Sequence, residues 1–125
     1  MEYFIDKRLY ISNGKKGRGI YTYDTIHVDE IIEYSPIITT YNSTWKDVPS
    51  GLKDMVFSFP ETDNNNCVIA LGYVTLYNHD DNNNAHWYTD SGGIIIKCVK
   101  EIQANEEVCI SYGHGYWENK SLSKI

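Results

Sequence analysis

Short runs of strand-forming residues, divided by turn formers, recur along the chain and limit it to a mainly β fold. The runs are rich in Ile, Val, Tyr and Thr, side chains that favour strands. All of them are short for an amphipathic helix. We predict strands at residues 8–11, 20–23, 30–34, 37–41, 67–71, 86–88, 94–99 and 108–111.

Only two segments favour helical structure. The spacing of Leu52, Met55 and Val56 places three apolar side chains on one helical face, which predicts a short helix over residues 49–57. Residues 72–78 predict a further helical turn, and residues 63–66 and 80–84 predict polar loops.

One connection between strands carries a clear turn signal. The sequence Asp90-Ser91-Gly92-Gly93 separates two strand runs and predicts a hairpin. Glycine suits such a turn because it can adopt the positive φ that hairpin connections require.

The length and the cysteines indicate one self-sufficient domain. The 125 residues fit a single domain over 1–125, which can bury enough surface to fold without disulfides or a structural metal. Cys67, Cys98 and Cys109 are widely spaced without a CxxC pair, so we expect ordinary buried thiols. The chain shows no leader pattern and no apolar stretch of membrane-spanning length, which predicts an intracellular protein without membrane contact.

The charge balance narrows the choice of partner. The formal net charge is −6, with 11 Lys and Arg against 17 Asp and Glu. Nucleic-acid binding depends on clustered basic residues, so direct binding to nucleic acid is disfavoured. A basic peptide suits this surface better.

Several motifs that would indicate other chemistry are incomplete. The Gly14–Gly19 region lacks the Lys and Ser or Thr of a phosphate loop, and its glycine pair lacks the third glycine of a dinucleotide site. Asp80, Asn82 and Asn84 are spaced like calcium ligands but lack the glycine and the final carboxylate of that loop. No metal-binding spacing accompanies the histidines, so no metal is expected.

Four segments in a fixed order, spread over nearly the whole chain, together resemble the SET-domain family. Lys16-Gly17-Arg18-Gly19-Ile20 is similar to the family's GxG segment, and residues 29–34 (DEIIEY) to the strand that ends in a tyrosine. Residues 76–85 (LYNHDDNNNA) resemble the NHSxxPNA box, and residues 106–117 (EEVCISYGHGYW) resemble the GEExxxxYGxxYW ending. The chain departs from these patterns at Ser35-Pro36, Asp80 and Asn83.

The resemblance implies a particular fold and methyl donor. The fold has several short β-sheets, few short helices, and a C-terminal segment threaded beside the Asn-His segment like a pseudoknot. The implied donor is S-adenosylmethionine, without a metal. The residues implied to bind it are Lys16, Gly17, Arg18, Gly19, Asn78, His79, Tyr112 and Trp117.

The implied activity is methylation of lysine on a protein that carries a basic tail, such as a histone. Tyr112 falls on the catalytic tyrosine of the family. The target lysine must lose its proton, and an apolar channel with aromatic walls lowers its pKa. The residues implied to line this channel are Tyr34, Ile110, Tyr116, Trp117 and Phe57. Ile110, two residues before the catalytic tyrosine, implies di- or trimethylation.

The resemblance also bears on assembly and location. The chain has no cysteine-rich zinc module before or after the SET core, which is the plan of the short viral members of the family. These members form homodimers, and a homodimer is implied only by that likeness. A histone substrate implies chromatin and the nucleus, which would be the host nucleus for a viral protein, and other substrates leave the cytoplasm open.

Three alternatives remain open. A degenerate SET domain could bind a peptide without catalysis, as the departures at Ser35-Pro36, Asp80 and Asn83 suggest. A methyltransferase could act on a protein other than a histone. Outside this fold, a β-sandwich could recognise a peptide or sugar through exposed Tyr and Trp.

Overall fold

Nearly all the regular structure in the described part of the chain is β. A computed structural model describes residues 1–39, 56–58 and 67–112. The elements are β1 (Phe4–Ile5), β2 (Leu9–Gly14), β3 (Gly17–Thr22), β4 (Ile31–Ser35), β5 (Ile37–Thr39), β6 (Val56–Ser58), β7 (Cys67–Ala70), a 3-10 helix (Val74–Leu76), β8 (Asn78–His79), β9 (Ala85–Thr89), β10 (Ile94–Cys98) and β11 (Glu107–Ile110). The predicted fold class is confirmed.

The chain divides into two compact units, each built from three separate stretches. The first comprises Met1–Asp6, Ile31–Thr75 and Trp87–Lys97, and the second comprises Lys7–Glu30, Leu76–His86 and Cys98–Ile125. A single domain over 1–125 stays a prediction. Among the described residues there is no helix long and apolar enough to cross a membrane.

The first unit contains a four-stranded sheet in the order β1-β4-β10-β9 and a three-stranded sheet in the order β5-β7-β6. Strand β10 alternates between buried and partly exposed residues, the period expected where one face of a sheet covers a core. The Glu33 carboxylate is buried in this unit and accepts a 2.7 Å hydrogen bond from the Tyr73 amide. The buried apolar residues of the unit are Ile32, Tyr34, Cys67, Val68, Ala70, Val74, Ile94 and Ile96.

The predicted hairpin at 90–93 is present, but for a different reason. The Asp90 amide donates to the Gly93 carbonyl at 3.1 Å, and Asp90 Oδ1 accepts from the amides of Gly92 and Gly93 at 2.8 and 2.9 Å. Gly17 is the glycine with a positive φ in the described chain, so the expectation of such a φ at Gly92 or Gly93 is wrong. Gly93 is needed because a Cβ there would collide with the Ser35 carbonyl.

The second unit contains a four-stranded sheet in the order β2-β3-β11-β8. Strand β11 pairs antiparallel with β3 through Val108↔Ile20 and parallel with β8 through Cys109↔Asn78. The predicted threading of the C-terminal segment beside the Asn-His segment is therefore confirmed. The buried apolar residues of this unit are Leu9, Ile20, Ile26, Tyr77, Ala85, Cys98, Ile102, Val108, Cys109 and Ile110.

The predicted helix over 49–57 is wrong at its C-terminal end. Val56–Ser58 forms β6, which pairs antiparallel with β7, because a β-branched and an aromatic residue beside an open strand edge favour the ladder. The rest of that segment and the loop at 63–66 lie outside the described residues. The helical turn predicted over 72–78 is confirmed by the 3-10 helix at Val74–Leu76. The three cysteines are buried thiols that form no disulfide with one another, as predicted.

Replacement of Asp90 should weaken the first unit in a pH-dependent way. Partial burial opposes ionisation of this carboxyl, but hydrogen bonds from the Tyr34 hydroxyl and the two glycine amides outweigh it and lower its pKa. Stability from the carboxylate is therefore present above the ordinary aspartate pKa and is lost as pH falls below about 4. Asp90→Ala should lower the free energy of unfolding by about 1 kcal/mol at pH 7.

Urea denaturation between pH 3 and pH 7 measures this effect. Asp90→Asn keeps an oxygen acceptor for the two amides but cannot titrate, so it should lose less stability at pH 7 and show a shallower decline in acid. Parallel curves for the wild type and Asp90→Ala over the whole range would contradict the assigned role of the carboxylate.

Candidate functional site

Three of the resembling segments meet in the second unit. The β2-β3 hairpin carries Lys16 to Gly19, β8 is the Asn78–His79 pair, and Tyr112 follows the end of β11. Since β11 lies between β3 and β8, it is the strand that brings these segments together.

The two glycines of the GxG segment serve different purposes. Gly17 follows the tight turn at Lys15-Lys16 and has φ of 85°, a conformation that favours glycine. A Cβ at Gly17 would have no heavy atom within 4 Å, so the position is open. Gly19 is buried, and a Cβ there would collide with the Glu107 carboxylate and lie 2.8 Å from Asn78 Nδ2. The first glycine therefore sets the turn, and the second allows the close approach of β11 and β8.

Asn78 links the GxG segment to β11 through its side chain. Its Nδ2 donates to the Arg18 carbonyl at 3.0 Å and to Glu107 Oε2 at 2.7 Å. Arg18 and Asn78 are 60 residues apart in the chain. Glu107 was absent from the predicted site, although its place in the GEExxxxYG ending was a signal that could have identified it. The structure therefore adds a carboxylate to the site.

Tyr112 is held at three points by residues 77–79. Its hydroxyl donates to the Tyr77 carbonyl at 2.7 Å, and its amide donates to His79 Nδ1 at 3.0 Å. The rings of His79 and Tyr112 are in contact, with centroids 5.2 Å apart and planes tilted by 48°. The predicted catalytic tyrosine and the predicted Asn-His pair are therefore neighbours.

Lys16 joins the hairpin to the residues that follow β8. Its ammonium donates to the His79 carbonyl at 2.6 Å and lies 3.5 Å from Asp80 Oδ2. Asp80 also accepts from the Asn82 amide at 2.9 Å. The hydrogen bond from the Asn82 amide, and after it the charge of Lys16, lower the pKa of Asp80. The departure from the family serine at this position is therefore accompanied by a cation partner within the chain.

The two asparagines that close the Asn-His segment bind main-chain groups. Asn83, which replaces the family proline, donates to the Ala85 carbonyl at 2.7 Å. Asn84 Nδ2 donates to the Glu107 carbonyl at 2.9 Å, and its Oδ1 accepts from the Cys109 amide at 2.9 Å. The Asn84 side chain therefore forms hydrogen bonds with the main chain of β11, as the main chain of a neighbouring strand would.

The turn before β11 has a further departure from the family pattern. Asn105 precedes Glu106, where the ending GEExxxxYG has glycine, and its φ is 68°. Asparagine tolerates this left-handed region better than most side chains. The backbone shape of the turn is therefore kept without glycine.

Burial and the Glu107 carboxylate perturb two groups near the site. Desolvation, and then the charge of Glu107, raise the pKa of Cys109 to about 11. The same two causes, in that order, raise the pKa of Tyr21, which pairs with Glu107 across the sheet. Both groups therefore stay neutral near pH 7. Within the described ranges, no three His, Cys, Asp or Glu residues form a group that could hold a metal ion.

The other predicted channel residues are divided between the two units and the part of the chain that is not described. Tyr34 and Phe57 belong to the first unit, where the Tyr34 hydroxyl donates to Asp90 at 2.8 Å and Phe57 contacts Trp87 edge to face with centroids 5.1 Å apart. The bond to Asp90, together with burial, raises the pKa of Tyr34 to about 12. Ile110 is completely buried in β11. Tyr116 and Trp117 lie outside the described residues.

Comparison with known proteins addresses the family directly. A profile of the SET domain matches residues 17–113. The chain belongs to the SET-domain family. This membership confirms the predicted family and, with it, the prediction of a protein-lysine methyltransferase.

Two SET-domain relatives resemble most of the chain. A histone-lysine N-methyltransferase specific for H3 lysine-37 from Schizosaccharomyces pombe is 30% identical over 118 residues, covering 89% of this chain and 78% of the relative. A crystal structure of a Plasmodium falciparum protein described as a histone methyltransferase matches with a TM-score of 0.73 and 30% identity, covering 90% of this chain and 99% of the other.

Loss of the Asn84 side chain should destabilise the second unit. In Asn84→Ala the Glu107 carbonyl and the Cys109 amide lose their partner, and partly buried groups left unsatisfied should cost about 2 kcal/mol together. Chemical denaturation would measure this loss. Asn83→Ala, which removes one bond within a loop, is the matched control and should cost less than half as much. Equal losses in the two variants would contradict the bridging role of Asn84.

Proposed function

We propose that this SET-domain chain transfers a methyl group from S-adenosylmethionine to a lysine on a histone tail, with Tyr112 as its catalytic residue. The observation that carries the proposal is the convergence of the GxG hairpin, the Asn78–His79 strand and Tyr112 around β11. The family supports the reaction, and the geometry supports the assignment of residues to it.

The residues of the second unit fit the methyl donor. S-adenosylmethionine carries an ammonium, a carboxylate and a sulfonium, so its site needs donors and acceptors together. The cations of Lys16 and Arg18, the Glu107 carboxylate and the exposed main chain at Gly17 supply both kinds. We propose that Lys16, Gly17, Arg18, Gly19, Asn78, His79, Tyr112 and Trp117 hold the donor. When bound, it supplies an activated methyl group on its sulfonium.

Tyr112 can orient the attacking amine. Its proton is committed to the Tyr77 carbonyl, which leaves the lone pairs of the phenol oxygen as acceptors for an amine N–H. Displacement at the methyl carbon requires the lysine nitrogen to be neutral and in line with the departing sulfur, and such alignment lowers the barrier. The Tyr112 hydroxyl would provide that alignment without itself changing charge.

The channel for the lysine side chain is proposed from Tyr34, Ile110, Tyr116, Trp117 and Phe57. An apolar channel penalises the ammonium form of lysine and lowers its pKa towards neutrality. Aromatic walls would also hold a methylated ammonium product by cation–π attraction worth about 0.5–2 kcal/mol.

A histone tail agrees with both the charge of the chain and one of its relatives. The net charge of −6 favours a basic peptide, and the fission-yeast relative carries the name of a methyltransferase for histone H3. This substrate would place the protein inside the cell, in the nucleus and at chromatin, and in the host nucleus if its source is viral. The homodimer and the absence of direct contact with nucleic acid, membrane or metal stay predictions.

A degenerate domain that binds a peptide without catalysis is the second candidate. The departures at Ser35-Pro36, Asp80 and Asn83 favour it. Hydrogen bonds made by Asp80 and Asn83 within their loop argue for a maintained backbone instead. Titration calorimetry with S-adenosylmethionine separates the candidates, because a domain that has lost the donor site should release no binding heat.

Tyr112→Phe should abolish most of the methyl transfer, because it removes the hydroxyl while keeping the ring that contributes to the donor site. Loss of one positioned hydroxyl in a reaction of this kind should lower kcat by about 100-fold or more. The measurement uses labelled S-adenosylmethionine with a panel of histones and other basic proteins. Tyr23→Phe removes a hydroxyl from an exposed tyrosine and is the matched control, with kcat unchanged. Equal transfer of label by the wild type and Tyr112→Phe would disprove the assignment of the catalytic tyrosine.

The number of methyl groups added provides a further test. Because Ile110 is apolar, it cannot hold a water molecule in the path of a second or third methylation, so di- or trimethyllysine should accumulate. Mass spectrometry of the product after long incubation would measure this. Monomethyllysine as the final product would contradict the prediction.

A further inference from the structure

The imidazole of His79 is engaged at both ring nitrogens. Its Nδ1 lies 3.0 Å from the Tyr112 amide nitrogen, and its Nε2 lies 2.7 Å from Asp81 Oδ1. The His79 side chain is 6% exposed and that of Asp81 is 68% exposed. A buried ring that touches the proposed catalytic residue is thus connected to a carboxylate at the surface.

These contacts determine where the ring proton resides. A main-chain N–H can only donate, so the Nδ1 that faces Tyr112 must present a lone pair. A carboxylate can only accept, so the Nε2 that faces Asp81 must carry the proton. The contact with Asp81 therefore favours the one neutral tautomer in which His79 can accept from Tyr112.

The Tyr112 amide depends on this tautomer because the main-chain ladder ends just before it. Strand β8 pairs with β11 through Ile110↔His79, and the Asp80 amide donates to the Ile110 carbonyl at 3.0 Å. At Tyr112 the acceptor is the imidazole. A proton on Nδ1 would place two donors face to face and release the Tyr112 backbone.

We propose that Asp81 is a positioning residue for methyl transfer, acting through the tautomer of His79 on the placement of Tyr112. The inference rests on the proposed function, since it assumes that Tyr112 is catalytic. Asp81 occupies a position that the NHSxxPNA pattern leaves unspecified, so the contact comes from the sequence of this chain. Groups that also face His79 include the ring of Tyr112 and, at the His79 carbonyl, the ammonium of Lys16, with Asp80 next in the chain.

A purely structural role for Asp81 predicts different behaviour. One hydrogen bond from a neutral imidazole to a largely exposed carboxylate contributes about 1 kcal/mol to folding, so its removal would lower stability slightly and leave kcat unchanged. A positioning role predicts a fall in kcat larger than any change in KM for the donor and the peptide, because the aligned hydroxyl is needed at the transfer step itself.

Kinetics of three variants test the proposal. Asp81→Ala should lower kcat about tenfold through misplacement of the Tyr112 hydroxyl. Asp81→Asn keeps an oxygen that accepts from Nε2–H and should restore kcat to within about twofold of the wild type. Asp24→Ala removes an exposed aspartate of the same unit, whose contact is with the Thr25 amide, and should leave kcat unchanged. An unchanged kcat in Asp81→Ala, or a failure of Asp81→Asn to restore activity, would overturn the proposal.

Nitrogen NMR separates this inference from the proposed function. In the wild type, the ring shifts of His79 should report a protonated Nε2 and a bare Nδ1, with a scalar coupling across the hydrogen bond to the Tyr112 amide. Asp81→Ala should weaken that coupling, and Asp81→Asn should keep it. A wild type that shows the coupling but transfers no label would refute the proposed function and leave the tautomer control established. A wild type that transfers label without the coupling would refute the positioning role alone.

Discussion

Strand β11 is hydrogen-bonded along both of its edges, and the candidate site depends on this arrangement. Its partners are β3 on one side and the two-residue β8 on the other. Such non-local pairing carries a larger loop-closure cost than a local hairpin does. Complete burial of Ile20, Val108 and Ile110 offsets this cost, at about 1.5–3 kcal/mol for each side chain. Because β8 is so short, side chains of Asn78 and Asn84 add contacts to β11 that the main chain does not supply.

The sequence was sufficient to predict local structure where residue type and period agree. The alternation in β10 and the β-branched residues of β3 and β7 identify strands without knowledge of their partners. Strand β8 could not be predicted in this way, since two polar residues form a strand only because β11 lies beside them. The helix predicted over residues 49–57 was wrong at its end for a related reason. Val56–Ser58 pairs with β7, and this pairing overrides the helical spacing of the segment. Non-local partners therefore explain the missed elements.

The residues of the site also divide into those that the sequence indicated and those that it did not. Resemblance indicated Gly17, Asn78, His79 and Tyr112, and the second unit brings them together. The supporting residues, which form hydrogen bonds around the site, were missed. Glu107 accepts from Asn78, Asp81 binds His79, and Asn84 bridges β11. The roles of Glu107 and Asn84 arise from contacts between segments far apart in the chain, which spacing within one motif cannot reveal. Asp81 lies only two residues from His79, at a position that the family pattern leaves unspecified. Departures from the family pattern at Asp80, Asn83 and Asn105 are local, and hydrogen bonds or a permissive φ accommodate each of them.

Burial in the core of the second unit restricts the chemistry of Cys109. The residue pairs with Asn78 in β11, so its sulfur belongs to the strand on which the proposed donor site is built. A thiolate is a strong nucleophile, and an activated methyl group is the kind of electrophile that it attacks. Burial, reinforced by the charge of Glu107, raises the pKa of Cys109 to about 11, so the group remains a neutral thiol at physiological pH. The close packing that unites the site segments therefore also keeps this thiol protonated.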